Sequence, residues 1–212
     1  MKIENPNLKW NGKLTPITKR ITKIVCHHPA HPSWTLQDIH NYHVKLGWVG
    51  IGYNYFITFD GRIFEGRGRN IGAHAQGYNS NTLGVCFQGD FEKQKMTDEQ
   101  VKAGAWLITQ LLRNEGLTIN DVIGHRDINA TSCPGRNFRM NDLKQAILEN
   151  LNPKIKKGVN NVSKDQTVSD WAKDAQKWVK QKGISDGLRP KDPVTREELW
   201  TMLWRAAGSP KV

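Results

Sequence analysis

Short apolar runs rich in β-branched residues alternate with segments of helical period from Ile21 to Leu151, and this alternation restricts the fold more than any other feature. Ile21 to Cys26 reads as a buried strand that delivers His27 at its end. Thr35 reads as a helix N-cap, with Asp38 in the first turn of a helix reaching about Leu46. Two strand-like runs, Tyr53 to Phe59 and Arg62 to Phe64, flank Asp60-Gly61, a dipeptide that tolerates the positive φ of a tight hairpin. Thr82 to Gln88 is a further strand. Thr97 and Gln100 form a capping box ahead of Val101, Ala105, Ile108, Leu111 and Leu112, whose spacing marks one helical face. Val122 and Ile123 form a short strand ending at Gly124-His125, and Asn141 to Leu151 reads as a closing helix. Strands interleaved with helices predict an α/β domain over residues 1–151, with a mixed central sheet flanked by helices.

A chain of 212 residues accommodates one such core and a small accessory unit, not two full domains. Residues 152–166 are rich in Lys, Asn and Gly, contain Pro153 and lack apolar periodicity, which is a linker composition. Residues 167–212 then read as a small helical unit. Asp170 caps a helix that carries Trp171, Ala172, Ala175, Trp178 and Val179 on one face and stops at Gly183. Thr195 and Glu198 form a capping box for a second helix, with Val194 and Leu199 in the hydrophobic-staple positions. Leu199, Met202, Leu203 and Ala206 make its apolar face. About 40 residues without a disulfide or metal rarely bury enough core to stand alone, so Trp200 and Trp204 are expected to pack on a second surface.

The formal charge of +11 implies an anionic partner: nucleic acid, acidic lipid or an anionic wall polymer. No helix-turn-helix, zinc-finger or RNA-recognition signature accompanies the charge, which argues against nucleic acid. No stretch approaches the ~20 apolar residues of a membrane span, and Met1 to Thr15 has no apolar h-region, so neither membrane insertion nor a signal peptide is expected. Three cysteines, Cys26, Cys86 and Cys133, an odd number at long spacings, argue against a disulfide framework and leave at least one thiol for other work.

His125 and Cys133 are separated by a loop of small and polar residues that closes on Pro134-Gly135, and such a loop can bring both side chains to one point. Zinc accepts imidazole nitrogen and thiolate sulfur, and a catalytic zinc takes three protein ligands and keeps a fourth position for water. His27 is the candidate third ligand because it ends a core strand, where side chains commonly project into a cleft at the sheet's edge. His28 should point to the opposite side by the strand period of two. Seven histidines are present, and spacing alone leaves open whether these are ligands or ordinary hydrogen-bonded side chains.

The run Gly52-Tyr53-Asn54-Tyr55-Phe56, followed by Asp60-Gly61, Glu65-Gly66-Arg67-Gly68, Gly72-Ala73-His74, Gly77-Tyr78-Asn79 and Leu83-Gly84-Val85, resembles the type-2 N-acetylmuramoyl-L-alanine amidases and the related peptidoglycan-recognition proteins. Gly124-His125-Arg126-Asp127 and Ser132-Cys133-Pro134-Gly135 extend the resemblance across roughly Ile21 to Leu151. It implies a Zn2+ cofactor held by His27, His125 and Cys133. It also implies hydrolysis of the amide between N-acetylmuramic acid and L-alanine in bacterial peptidoglycan, as by phage endolysins. A bacterial autolysin of the same activity and a non-catalytic peptidoglycan-binding protein are the alternatives. Non-catalytic members typically carry Ser where this chain has Cys133.

The same resemblance assigns catalytic roles to Tyr53, beside the metal, and to Thr131, where some phage enzymes have Lys. Some phage relatives place a Glu in the strand matching Leu83 to Cys86, but this chain has no acid there, which makes Tyr53 the candidate proton acceptor. Trp48 and Arg67 match positions that accompany preference for diaminopimelate stems, whose extra carboxylate suits an Arg fork. His74 matches a position lining the groove, so it is expected to bind substrate. An enzyme of this kind without an export signal would be made in the host cytoplasm and reach the wall after release. Trp171-Ala172, Gly183-Ile184, Asp186-Gly187 and Pro193-Val194-Thr195-Arg196-Glu197 resemble a single surface-layer-homology motif. Such motifs usually pack as three copies, which implies wall binding and homo-oligomer formation through the C-terminal unit.

Overall fold

The computed structural model describes residues 1–152, 168–185 and 196–208. The chain separates into two compact units, Met1–Pro153 and Lys154–Val212. In the first, six strands form one mixed sheet: β1 (Ile3–Glu4), β2 (Lys23–His27), β3 (Tyr55–Ile57), β4 (Ile63–Glu65), β5 (Thr82–Phe87) and β6 (Val122–Gly124). Their spatial order is β1-β4-β3-β5-β2-β6. Parallel pairing joins β3, β5, β2 and β6, whereas β3 and β4 are the antiparallel hairpin expected around Asp60-Gly61. The two-residue β1, which pairs in parallel with β4, has no apolar run to announce it.

Side-chain alternation gives the sheet two different faces. On one, Ile24 and Cys26 of β2, Leu83, Val85 and Phe87 of β5 and Ile57 of β3 pack with helices α2 (Asp98–Glu115) and α3 (Met140–Leu151), through Leu107, Ile108, Leu143 and Ile147. Complete burial of side chains of this size contributes roughly 1.5–3 kcal/mol each. On the other face, Phe56 and Cys86 pack with Leu36 and Ile39 of helix α1 (Leu36–Lys45) and with Ile51. His27 and Gly84 share this second face by parity with Val25 and Cys86, so it carries both a small core and the reactive side chains.

Local chemistry sets the helix starts where the sequence predicts them. Thr35 accepts from the Asp38 backbone N–H, and Asp38 accepts from the Thr35 backbone N–H in return. Thr97 and Gln100 do the same for α2, and the Thr97 hydroxyl also donates to the Phe59 carbonyl at 2.8 Å. Asn54 is fully buried; its amide donates to the carbonyls of Gly68 and Asn70 and its oxygen accepts from the Gly84 N–H, tying the loop after β4 to β5.

The second unit contains a 3-10 turn at Asp170–Ala172 and two helices, α4 (Lys173–Gln181) and α5 (Arg196–Ala206). Asp170 does not cap the first helix as expected: it begins the 3-10 turn and its carboxylate pairs with Lys173 at 2.6 Å. Gly183, with φ 64°, ends the helix as predicted. Ile184 is buried, its carbonyl accepts from Arg205, and Trp178, Leu199, Trp200, Leu203 and Trp204 are exposed. The proposed linker after Asn152, the Thr195 capping box and the Val194 staple lie outside the described residues. No helix among the described residues is long and apolar enough to cross a membrane.

Replacing Thr97 by Ala removes the α2 cap and the tie to Phe59. It is expected to cost about 1–2 kcal/mol and lower the melting temperature of this unit by about 3–6 °C in thermal circular dichroism. An unchanged melting temperature would show that the cap carries no net stability.

Candidate metal centre

Two neighbouring parallel strands deliver two histidines side by side. β2 and β6 pair in the register Cys26 with Gly124, so His27 and His125 follow at the same level, with ring centroids 4.5 Å apart. His27 lies over the sheet face on the α1 side rather than projecting past the sheet edge, because it still belongs to β2 and points with Val25. His28, one residue on, turns the other way: its Nδ1 accepts from the Phe91 N–H at 3.0 Å and its ring stacks on Phe91.

The third side chain arrives by a loop that its own motif residues brace. Asp127 accepts from the Gly124 N–H at 2.7 Å, closing the 3-10 turn that starts at His125. Arg126 donates its backbone N–H to the Cys133 carbonyl at 2.8 Å and its side chain to the Gly135 carbonyl at 2.6 Å. Gly135 has φ 100°, and a Cβ there would lie 2.5 Å from the Phe91 backbone, so only glycine lets the loop turn back beneath Cys133.

Ligand atoms of His27, His125 and Cys133 all lie within 4.8 Å of one another, and no other cluster of this kind occurs among the described residues. The His27 Nδ1 to Cys133 Sγ distance is 3.6 Å. A tetrahedral zinc with bonds of about 2.05 Å to nitrogen and about 2.3 Å to sulfur separates those two atoms by about 3.6 Å. The His27 and Cys133 pair therefore stands at the separation the ion requires, and the imidazole of His125 lies within reach of the same point. His125 approaches with Nδ1 free, since its Nε2 faces the Asn129 side-chain oxygen at 3.1 Å. The Asn129 amide nitrogen is directed at the Gln76 carbonyl, which fixes that orientation.

Burial pulls the His27 pKa well down, helped by His74 and His125, and burial also lowers that of His125, so both imidazoles keep a lone pair at neutral pH. Burial pushes the Cys133 thiol up to about 11, with the His28 backbone N–H opposing the rise from 3.4 Å. A bound cation offsets that cost by stabilising the thiolate.

The other five predicted residues differ in their burial and partners. Tyr53 lies against the centre, its ring 5.2 Å from that of His27, and burial raises its pKa well above 10, so its hydroxyl is a proton donor. Thr131 is exposed, and its hydroxyl accepts from the Cys133 N–H at 3.2 Å. His74, expected to bind substrate, is only 7% exposed and faces His27, with Nδ1 3.0 Å from His27 Nε2. Trp48 is half-exposed and stacks on His43 with centroids 4.5 Å apart. Arg67 is buried, and its guanidinium donates to the carbonyls of Ile51 at 2.7 Å, Ile71 at 2.9 Å and Gly50 at 3.4 Å. Of its five N–H groups, two remain for any other partner.

Sequence reasoning missed Asn129 and His43. His43 accepts the Gly52 N–H through Nδ1 at 3.0 Å, and its ring bridges Trp48 and Tyr53. The available signal was a histidine one turn beyond the buried Ile39 on the same stripe of α1. Trp34 and Tyr42 extend this row of rings outward from the centre.

Residues 17–136 match the family described as Amidase_2, N-acetylmuramoyl-L-alanine amidase. The chain is similar to peptidoglycan-recognition protein SC2 of Drosophila melanogaster, with 33% identity over 145 residues, 61% of this chain and 79% of that protein. Among solved structures it is similar to the endolysin N-acetylmuramoyl-L-alanine amidase LysCS from Clostridium intestinale URNW. That likeness has 32% identity and a TM-score of 0.65, covering 69% of this chain and 95% of the other. A similar fold is found in peptidoglycan recognition protein-LE in complex with monomeric diaminopimelic acid-type peptidoglycan, with 28% identity, a TM-score of 0.59 and coverage of 64% and 89%.

Arg67→Ala is expected to destabilise the unit by about 2–4 kcal/mol in denaturant unfolding, because it leaves partly buried carbonyls of Gly50, Ile51 and Ile71 without their charged donor. Wild-type stability in that variant would confine Arg67 to ligand contact.

Proposed function

This chain belongs to the N-acetylmuramoyl-L-alanine amidase family, and we propose that it is a zinc-dependent hydrolase of the amide joining N-acetylmuramic acid to L-alanine in bacterial peptidoglycan. The observation that carries the reading is the convergence of His27, His125 and Cys133, whose ligand atoms lie within 4.8 Å of one another, with His27 and Cys133 at the separation a tetrahedral zinc requires. A non-catalytic peptidoglycan-binding protein would have no need of a buried thiol held beside two neutral imidazoles.

Zinc at this position supplies Lewis-acid polarisation of the scissile carbonyl and activation of water near pH ~7. The protein's own contributions are distinct. Tyr53, with its pKa raised by burial, is a neutral hydrogen-bond donor to the developing oxyanion. Thr131 organises the Cys133 loop through the Cys133 N–H, and adds no charge to the oxyanion. The Trp48 and His43 pair forms a flat wall beside Tyr53 against which the stem peptide lies. Diaminopimelate-type stems are the favoured substrate class, supported by the ligand named for the recognition protein-LE complex. The two uncommitted N–H groups of Arg67 are the candidate partners for the extra carboxylate.

An endolysin role, with synthesis in a host cytoplasm and action on the wall after release, is supported by the likeness to the Clostridium endolysin amidase. The exposed Trp178, Trp200, Leu203 and Trp204 of the second unit support a role in binding anionic wall polymers or a second copy of the chain.

Mass spectrometry of digested walls tests the reaction: stem peptides beginning at L-alanine are expected, whereas new reducing sugar ends would identify a glycosidase. Cys133→Ser should abolish lysis with the circular dichroism signal retained. Tyr53→Phe should lower kcat by about 10²-fold with little change in KM, as on loss of an oxyanion donor, and unchanged turnover would remove Tyr53 from the chemistry. For the second unit, a 1–153 fragment is expected to bind walls more weakly than the whole chain. Equal binding, with a monomer by light scattering at micromolar concentration, would deny both roles.

A further inference from the structure

His74 is almost wholly buried, yet it is joined to the candidate metal centre by a directed chain of hydrogen bonds. His27 Nε2 and His74 Nδ1 are 3.0 Å apart. On the far side of its ring, His74 Nε2 faces the Thr82 hydroxyl at 3.5 Å. That hydroxyl has one proton, and it is given to the Tyr78 carbonyl at 2.7 Å, an acceptor only. Thr82 can therefore only accept from His74, which puts the ring proton of His74 on Nε2 and leaves its Nδ1 as an acceptor. It follows that His27 donates from Nε2 and keeps a lone pair on its Nδ1, which lies 3.6 Å from the Cys133 sulfur.

The surroundings of the ring are built to hold it there. Gly84 on β5 lies beneath it, and a Cβ at that position would fall 2.5 Å from the His74 Cγ; a Cβ at Gly72 would fall 2.4 Å from its Cδ2. Asn79 accepts from the backbone N–H groups of His74 and Ala75 at 2.8 and 3.0 Å, which fixes the main chain carrying the ring.

We infer that His74 is a positioning residue for the metal rather than a substrate contact: it takes the Nε2 proton of His27 in a hydrogen bond and so selects the tautomer and ring orientation with which His27 binds zinc. Partners of this kind stand behind most metal-bound imidazoles, and their loss typically weakens metal binding about 10- to 100-fold. The inference rests on the zinc-dependent reading above.

Zinc affinity of the full chain, measured by chelator competition, tests it together with the kinetic constants. Wild type should bind one zinc per chain. His74→Leu, which has no acceptor, should bind zinc about 10- to 100-fold more weakly. His74→Asn, whose side-chain oxygen replaces Nδ1 as acceptor, should recover most of that loss. A His74→Leu variant with wild-type zinc affinity and a raised KM would overturn the inference and restore the substrate role, leaving the zinc reading intact. Absence of zinc binding by wild type would remove both. Should the Leu variant not fold, two-bond 1H–15N correlation spectra of the zinc-loaded wild type decide the matter. Protons on Nε2 of both His27 and His74 are expected, and a proton on His74 Nδ1 would refute the chain.

Discussion

Parallel pairing of β2 with both β5 and β6 is the constraint from which the rest of the centre follows. With Cys26 opposite Gly124 and His27 opposite Cys86, the ends of three strands stand level, and two imidazoles meet, one from the last residue of β2 and one from the first residue after β6. A shift of one residue in β2 would turn His27 to the face occupied by α2 and α3 and place Cys26 on the α1 face instead. The apolar runs of β2 and β5 therefore serve the chemistry as much as the core, because the burial of Ile24, Leu83, Val85 and Phe87 on one face is what makes such a slip costly.

Features governed by partners within about four residues were legible in the chain itself. The Thr35 and Thr97 caps, the Asp60-Gly61 hairpin and the apolar stripe of α2 all fall in this class, and each element starts within about two residues of its expected place. The C-terminal unit is the exception, where a 3-10 turn replaced the cap expected at Asp170. The His27, His125 and Cys133 set was legible by resemblance, and spacing alone left it open. Sequence could not reveal which way a motif residue faces when its partner is distant. His74 meets His27 across 47 positions, and Arg67 meets Ile51 across 16. Both belong to motifs that read equally well as groove residues, and both turn inward.

That inward turn changes what the motif glycines and arginines are for. Arg67 joins the segments before β3 and after β4 through the carbonyls of Ile51 and Ile71, and Arg126 ties the His125 turn to the Cys133 loop. The loops flanking the centre thus lack regular secondary structure yet are held by charge-assisted bonds of about the strength that fixes a helix end. A centre that must orient three ligands to within a few tenths of an ångström gains more from such braces than from extra apolar burial, since hydrophobic contact is not directional.

Gly84 illustrates how this reshapes the meaning of a single position. Its backbone needs no left-handed conformation, and any residue could continue β5 there with the ladder intact. The restriction is on volume alone, imposed by an imidazole from a loop ten residues upstream. A side chain at this strand centre would have to displace that imidazole, so a position that looks like scaffold is tied, through one ring, to the placement of His27.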